Sequence, residues 1–273
     1  MKRISLYYSS LIIGAPRAQS TLEPQRNINE TGAIYRCPLD TTKTCYPYIF
    51  DDKGNRNIEQ SEYTYDSEKR DFQWLGASMD GGLTDNEKLV VCAPRFIAPV
   101  GTSDYLMHGI CYWINDTLTE KPMNVRKISP LRLRKDQIRE EGGSKFYYYM
   151  LAEQGLSVHV TPDNEEILVG APGIHTWKGS VIRHRKRITL DDPGLSRRDT
   201  ERALRVPRQS EISPEVYYES DIPNPQAFIE QNDSYFGYSV SSGYFDSNDK
   251  NKILYLASAP QAHEQSGEVS FNF

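Results

Sequence analysis

The chain has 273 residues, a net charge of -5, and a mean hydropathy of -0.63. That balance gives no general attraction to nucleic acid, and no run approaches the roughly 18 apolar residues of a membrane-crossing helix. Eighteen Tyr, 18 Gly and 16 Pro, with modest aliphatic content, suit a loop-rich β protein.

At the start, Met1-Lys2-Arg3 followed by the apolar stretch 4–13 has the outline of a secretory leader. The stretch ends in Leu11-Ile12-Ile13-Gly14-Ala15-Pro16 without a clean small-residue cleavage site, so it reads as a strand. The same phrase returns three times. Leu89-Val90-Val91 runs into Cys92-Ala93-Pro94, Ile167-Leu168-Val169 into Gly170-Ala171-Pro172, and Ile253-Leu254-Tyr255-Leu256 into Ser258-Ala259-Pro260. Proline has no amide hydrogen for a ladder, so each run of β-formers ends at a loop. A glycine then opens a second strand, at Gly32-Ala33-Ile34-Tyr35, Gly109-Ile110-Cys111-Tyr112, Gly179-Ser180-Val181-Ile182 and Gly267-Glu268-Val269-Ser270. Ahead of the last three units stands Gly-x-Ser, at Gly76-Ala77-Ser78, Gly155-Leu156-Ser157 and Gly237-Tyr238-Ser239.

Repetition of this kind means one supersecondary unit used several times. The expected fold is all-β, a partial β-propeller of antiparallel four-stranded blades, because radial repetition protects sheet edges. A solenoid of β-coils is the alternative, with shorter repeats and smaller loops. The expected blades are 1–60, partial and lacking the Gly-x-Ser strand, then 61–140, 141–228 with a basic extension, and 229–273, whose closing strand ends at Phe273.

The four cysteines allow three pairings. Cys37 and Cys45 flank a polar turn short enough for bridging, while Cys92 and Cys111 fall in core strands of one blade. Four buried thiols in a cytosolic protein are the alternative. Sequons at Asn29, Asn115 and Asn232 point, like local cysteine spacing, to an oxidising compartment. The run Arg183-His184-Arg185-Lys186-Arg187, followed by Arg197-Arg198, Arg202, Arg205 and Arg208, has the look of a convertase or heparin-binding sequence, or of an exposed strand edge. The five histidines are dispersed, with no Gly-x-Ser-x-Gly elbow and no Cys/His ligand spacing, so no enzyme is expected.

The motif set resembles the FG-GAP repeats of the integrin α-subunit head over essentially the whole chain. Gly32-Ala33-Ile34-Tyr35-Arg36-Cys37-Pro38, Gln73-Trp74-Leu75-Gly76-Ala77-Ser78 and Asp233-Ser234-Tyr235-Phe236-Gly237-Tyr238-Ser239-Val240 look like the first, second and fourth blades in order, and the insect position-specific type is the subtype that the resemblance suggests. The resemblance implies a seven-bladed ring, of which this would be about the first four blades. It also implies local disulfides, Cys37–Cys45 and Cys92–Cys111, with Ala152 where the next family bridge would begin. The implied partners are an integrin β subunit and an extracellular-matrix protein, and the implied location is the cell surface, as part of a full-length receptor.

In this family a basic side chain of the β subunit enters the central channel among aromatics. The matching positions are Trp74, Tyr235 and Tyr238, with Leu156 where the third blade usually offers a ring. Aromatic faces attract a cation, the more so once water is excluded; plain packing between blades is the alternative. The ligand positions that carry over are Asn232, Thr176 and Trp177. An Arg-Gly-Asp ligand needs an acid where Asn232 stands and a ring where Thr176 stands, so a laminin-like matrix ligand is expected instead. The calcium-type hairpin 243–252 keeps Asp246 and Asn248, but Tyr244 replaces the first acid and Lys250 and Lys252 crowd the rest; Asp80 and Asp85 are sparser still. No cofactor is expected here, with calcium confined to blades absent from this chain. Two other readings stay open: an accessory propeller of a secreted enzyme or lectin-like protein, and a non-functional truncated isoform.

Overall fold

A computed structural model of the chain describes residues 4–7, 10–39, 44–60, 63–81, 87–100, 104–115, 121–133, 137–189, 215–222, 233–262 and 266–271. The chain is 47% strand and 6% helix, in the all-β architecture expected, and it is laid out as an open part of a β-propeller.

The first sheet comprises β1 (Ile4–Tyr7), β2 (Ser10–Ala15), β3 (Ala33–Pro38) and β4 (Tyr46–Pro47). A separate hairpin, β5 (Arg56–Gln60) and β6 (Tyr63–Glu68), leads to the second sheet. That sheet starts with β7 (Ser78–Gly81) and β8 (Leu89–Ala93); the small ribbon β9 (Ala98–Val100) and β10 (Asp104–Leu106) interrupts it before β11 (Ile110–Ile114) and β12 (Arg126–Ile128). The hairpin β13 (Ile138–Glu141) and β14 (Ser144–Tyr147) precedes the third sheet, β15 (Ser157–Val160), β16 (Glu166–Ala171), β17 (Ser180–Thr189) and β18 (Glu215–Asp221). The fourth holds β19 (Val240–Gly243), β20 (Leu254–Ala259) and β21 (Glu268–Phe271). Each sheet is an antiparallel meander in chain order, four strands wide in the first three and three wide in the last among the described residues.

Two expectations change. The first sheet does have an innermost strand: β1 pairs with β2 from Ile4 opposite Ile13 to Tyr7 opposite Ser10, although no Gly-x-Ser announces it. The basic run is not a strand edge, because β17 is hydrogen-bonded to β16 on one side and β18 on the other. A convertase needs an extended, unpaired substrate strand, so 183–187 cannot be cleaved in the folded chain. Arg197, Arg198, Arg202, Arg205 and Arg208 lie outside the described residues.

The Ala-Pro runs are the second strand of every sheet, and in the second and third sheets they are apolar because both faces are covered. Side chains alternate along a strand. Leu89 and Val91 of β8 join a core with Ile12, Ile34, Phe50 and Leu75, whereas Val90 and Cys92 join one with Val158, Ile167 and Val169. Leu168 of β16 turns the other way, to Phe236 and Val240.

The recurring glycines and serines join sheet to sheet. Gly32, Gly109 and Gly179 form parallel bridges to Leu75, Gln154 and Phe236 of the next unit. They sit at φ 78, 76 and 83, and a Cβ there would lie 2.3, 2.2 and 2.0 Å from the partner's carbonyl oxygen. Only glycine meets both demands. The serine of Gly-x-Ser supplies a second clasp: Ser78 Oγ donates to the Gly155 carbonyl at 2.5 Å and Ser157 Oγ to the Gly237 carbonyl at 2.9 Å.

Both local disulfides are present, Cys37–Cys45 and Cys92–Cys111, with Cα separations of 4.1 and 4.0 Å. Cys92 and Cys111 face each other in the β8–β11 ladder. Among the described residues no helix is long and apolar enough to cross a membrane.

Candidate functional site

Every Gly-x-Ser is entered through one shared turn. Trp74, Glu153 and Tyr235 stand two residues before its glycine, in the left-handed region at φ 60, 51 and 57. Their carbonyls accept from the amides three residues on, Ala77 at 2.9, Leu156 at 3.0 and Tyr238 at 3.1 Å. Left-handed backbone costs a side-chain-bearing residue about 1–2 kcal/mol, so the surrounding bridges hold the turn in place. Each unit therefore presents two side chains, one at the strained position and one three residues later. Leu156 is the counterpart of Tyr238 and Ala77. The third-unit counterpart of Trp74 and Tyr235 is Glu153, a residue the sequence reading passed over. Setting Gln73-Trp74-Leu75-Gly76 above Ala152-Glu153-Gln154-Gly155 would have found it.

Charge lies beside the Trp74 and Glu153 turns. The Arg95 guanidinium lies 4.5 Å from the centre of the half-buried Trp74 ring. Arg17 donates two hydrogen bonds, at 3.1 and 2.8 Å, to Glu30. That pairing holds the Glu30 carboxyl below its ordinary range, with smaller help from Trp74 and Arg95. Both arginines follow an Ala-Pro: Ala15-Pro16-Arg17 and Ala93-Pro94-Arg95. Glu153 is different. Burial pushes its carboxyl above the usual range, opposed only by the field of Arg95, and the carboxylate makes no hydrogen bond or ion pair with any described residue.

The loop after the third Ala-Pro forms an aromatic ledge. His175, Thr176 and Trp177 are left-handed in succession, at φ 51, 59 and 60. Trp177 stacks on Tyr235 with centroids 5.1 Å apart and planes 29° apart, and its carbonyl accepts the Tyr235 amide at 2.8 Å. His175 lies against Tyr148 at 4.4 Å. Thr176 is exposed and brings no ring. Tyr238 is 53% exposed, and Trp74, Tyr235 and Tyr238 make no ring contact with one another. Asn232 lies outside the described residues. Asn29 and Asn115 are exposed, and the Asn29 carbonyl accepts the Phe72 amide at 2.8 Å, which places that sequon beside the Trp74 turn.

Other singled-out residues have local roles. The Asp246 carboxylate accepts the Asn248 amide at 2.9 Å and lies 3.6 Å from Lys252 Nζ. Asp80 Oδ2 accepts the Val160 amide and meets His159 Nδ1, each at 2.9 Å, and His159 Nε2 lies 3.0 Å from Ser242 Oγ. This Asp–His–Ser order is that of a hydrolytic relay. Here, though, Ser242 is buried in β19 and the three residues belong to three successive sheets, so the chain of bonds is a staple between innermost strands. In the basic run, Arg183 forks onto Glu166 at 3.0–3.1 Å with its guanidinium 4.4 Å from the Tyr255 ring, and Arg185 pairs with Asp221.

No family model matches the chain. Among curated proteins it is 54% identical to Integrin alpha-PS3 of Drosophila melanogaster, 38% identical to Integrin alpha-PS5 of Drosophila melanogaster and 27% identical to Integrin alpha-8 of Mus musculus, each over 96% of this chain. The chain spans about a quarter of those relatives, 24%, 21% and 22% of their respective lengths.

Proposed function

From the premise that the chain is an integrin α homologue, which the insect position-specific type fits, we propose that it serves as an adhesion-receptor head, pairing with an integrin β subunit and binding an extracellular-matrix protein. The relatives are adhesion receptors of the cell surface rather than enzymes. The observation that carries the proposal is the repeated left-handed turn. It presents Trp74 with a guanidinium already seated on its face, Tyr235 stacked on Trp177, and the exposed Tyr238. The exposed Tyr238 ring suits a partner that brings basic side chains, since a ring and a cation attract by about 0.5–2 kcal/mol, a role that Arg95 already fills on Trp74.

Capture of the secreted chain on an immobilised β-subunit ectodomain tests the pairing. Trp74→Ala and Tyr238→Ala should each weaken capture by on the order of tenfold, and Tyr244→Ala, in the 243–252 hairpin, should leave it unchanged. Equal capture by all three variants would reduce the rings to packing residues.

For the matrix ligand, the proposal is a laminin-like protein rather than an Arg-Gly-Asp peptide. Thr176 is exposed without a ring to cover an arginine stem, and Asn232 offers an amide where a carboxylate would pair with it. Calcium is assigned to none of these loops, because Lys252 stands beside Asp246 in the hairpin that comes nearest to a site. Strong adhesion to immobilised Arg-Gly-Asp peptide by a receptor carrying this head would defeat the ligand assignment.

A further inference from the structure

Two of the three turns before Gly-x-Ser carry a second left-handed residue, two positions ahead of the first. Asp233 holds that place ahead of Tyr235 at φ 59, and Phe72 holds it ahead of Trp74 at φ 55. Aspartate enters this region readily because its short polar side chain can bond locally, whereas a bulky ring meets the full steric penalty. Burial does not offset that penalty, since Phe72 is 43% exposed. A strained aromatic that faces solvent calls for a role outside the core.

The backbone partner of Phe72 is a sequon asparagine. The Phe72 amide donates to the Asn29 carbonyl at 2.8 Å, and the Leu75 amide donates to the Thr31 carbonyl at 3.0 Å. Asn29-Glu30-Thr31 thus lies along 72–75 and is tied to it at both ends. Between the ties, Glu30 is itself left-handed at φ 42 and is held by its two hydrogen bonds from Arg17. Asn29 is exposed, while Thr31 is buried. A transferase that must read the threonine can act only before these sheets close, so a sugar on Asn29 is in place when the Phe72 ring comes to lie beside it.

We propose that Asn29 carries an N-linked glycan whose first N-acetylglucosamine packs on the Phe72 ring. In the linking step Asn29 Nδ2 forms a bond to C1 of that sugar as the bond from C1 to a lipid-linked diphosphate breaks. The amide gives up one proton, and the lipid diphosphate leaves. One face of the sugar ring displays mainly C–H groups, so it and the aromatic face both withdraw apolar surface from water on contact. Because the backbone on each side is already fixed, little further ordering is needed. The inference rests on passage through the secretory route, as for the cell-surface relatives, and not on the β-subunit pairing or the matrix ligand.

The test uses the full chain, secreted as the parent and as Asn29→Gln, Phe72→Ala, Phe72→Tyr and the two double variants. Peptide mass mapping after enzymatic release of the glycan should find position 29 of the parent converted to aspartate. Phe72→Ala should lower the thermal midpoint of the glycosylated chain by about 2–4 °C more than it does in the Asn29→Gln background, and Phe72→Tyr should cause no such difference. Trimming the glycan to its first sugar should preserve the difference, which separates packing of that sugar from the bulk of the rest. An unmodified Asn29 in the secreted chain overturns the inference. An equal Phe72→Ala shift with and without the sugar overturns it too, since the glycan would then stand away from the ring. Failure of β-subunit capture would leave both readouts unchanged.

Discussion

His159 and Asp80 are joined across two sheets by a 2.9 Å contact from Nδ1 to Oδ2, and the same Asp80 oxygen also accepts the Val160 amide. With Nδ1–H pointed at the carboxylate, Nε2 is free to accept from Ser242 Oγ, 3.0 Å away in the fourth sheet. Removing Asp80 strands an amide and an imidazole together. Asp80→Ala should therefore destabilise the fold by roughly 1–3 kcal/mol, and Ser242→Ala by about 1 kcal/mol. Denaturant midpoints with unchanged slopes would show this; an unaltered Asp80→Ala midpoint would mean that the staple carries no load.

The second expectation concerns acid. His184 is buried beside Trp113 and Tyr218, its Nδ1 2.8 Å from Ser220 Oγ. Burial, with the positive charges of Lys88 and Arg126 adding to it, pushes its pKa down to about 4. In the unfolded chain it would titrate near the ordinary value of about 6.5, so between these values the unfolded state binds the proton and the folded state does not. Stability is therefore lost as pH falls from about 6.5 towards 4, by on the order of 3 kcal/mol, and this loss levels off below the folded value. Denaturation across that range should give a flatter pH dependence for His184→Gln than for the parent. Parallel curves would remove His184 as the source.

A pair of glycines separates backbone strain from crowding. Gly142 and Gly109 are both left-handed, at φ 58 and 76. A Cβ on Gly142, in the β13–β14 turn, meets nothing within 4 Å, while one on Gly109 lies 2.2 Å from the Gln154 carbonyl oxygen. Gly142→Ala should cost about 1–2 kcal/mol. Gly109→Ala should cost at least about 3 kcal/mol more, or prevent folding, since the clash is with backbone that cannot rotate aside. Similar midpoints for the two variants would show that the sheets can separate at this clasp without penalty.

The strands that carry punctuation were legible in the sequence. Ala-Pro marks the end of β2, β8, β16 and β20, and the loop-closing glycines mark the starts of β3, β11, β17 and β21. β1 was not, because its motif is missing and its place comes from a ladder with β2. The arginines of β17 looked like a free basic patch because their partners are remote in sequence. Glu166 lies 17 positions before Arg183, and Asp221 lies 36 beyond Arg185. Glu153 was passed over for another reason. A search for rings at the turn skips a carboxylate, although Glu153 holds the same left-handed place as Trp74 and Tyr235. The residues pairing through the Gly-x-Ser serines, Ser78 with Gly155 and Ser157 with Gly237, were visible as a motif, but their receiving carbonyls were not.

The second strands β8 and β16 are party walls, and parity along them works as an address. An even step in β8, from Leu89 to Val91, stays with the neighbour that supplies Ile12 and Phe50; an odd step, to Val90, crosses to the one that supplies Val158 and Val169. Two substitutions one residue apart should thus be felt in different rooms. A cavity opened at Val91 is to be refilled by enlarging a residue of the first sheet, and one opened at Val90 by enlarging a residue of the third, with neither repair able to serve the other.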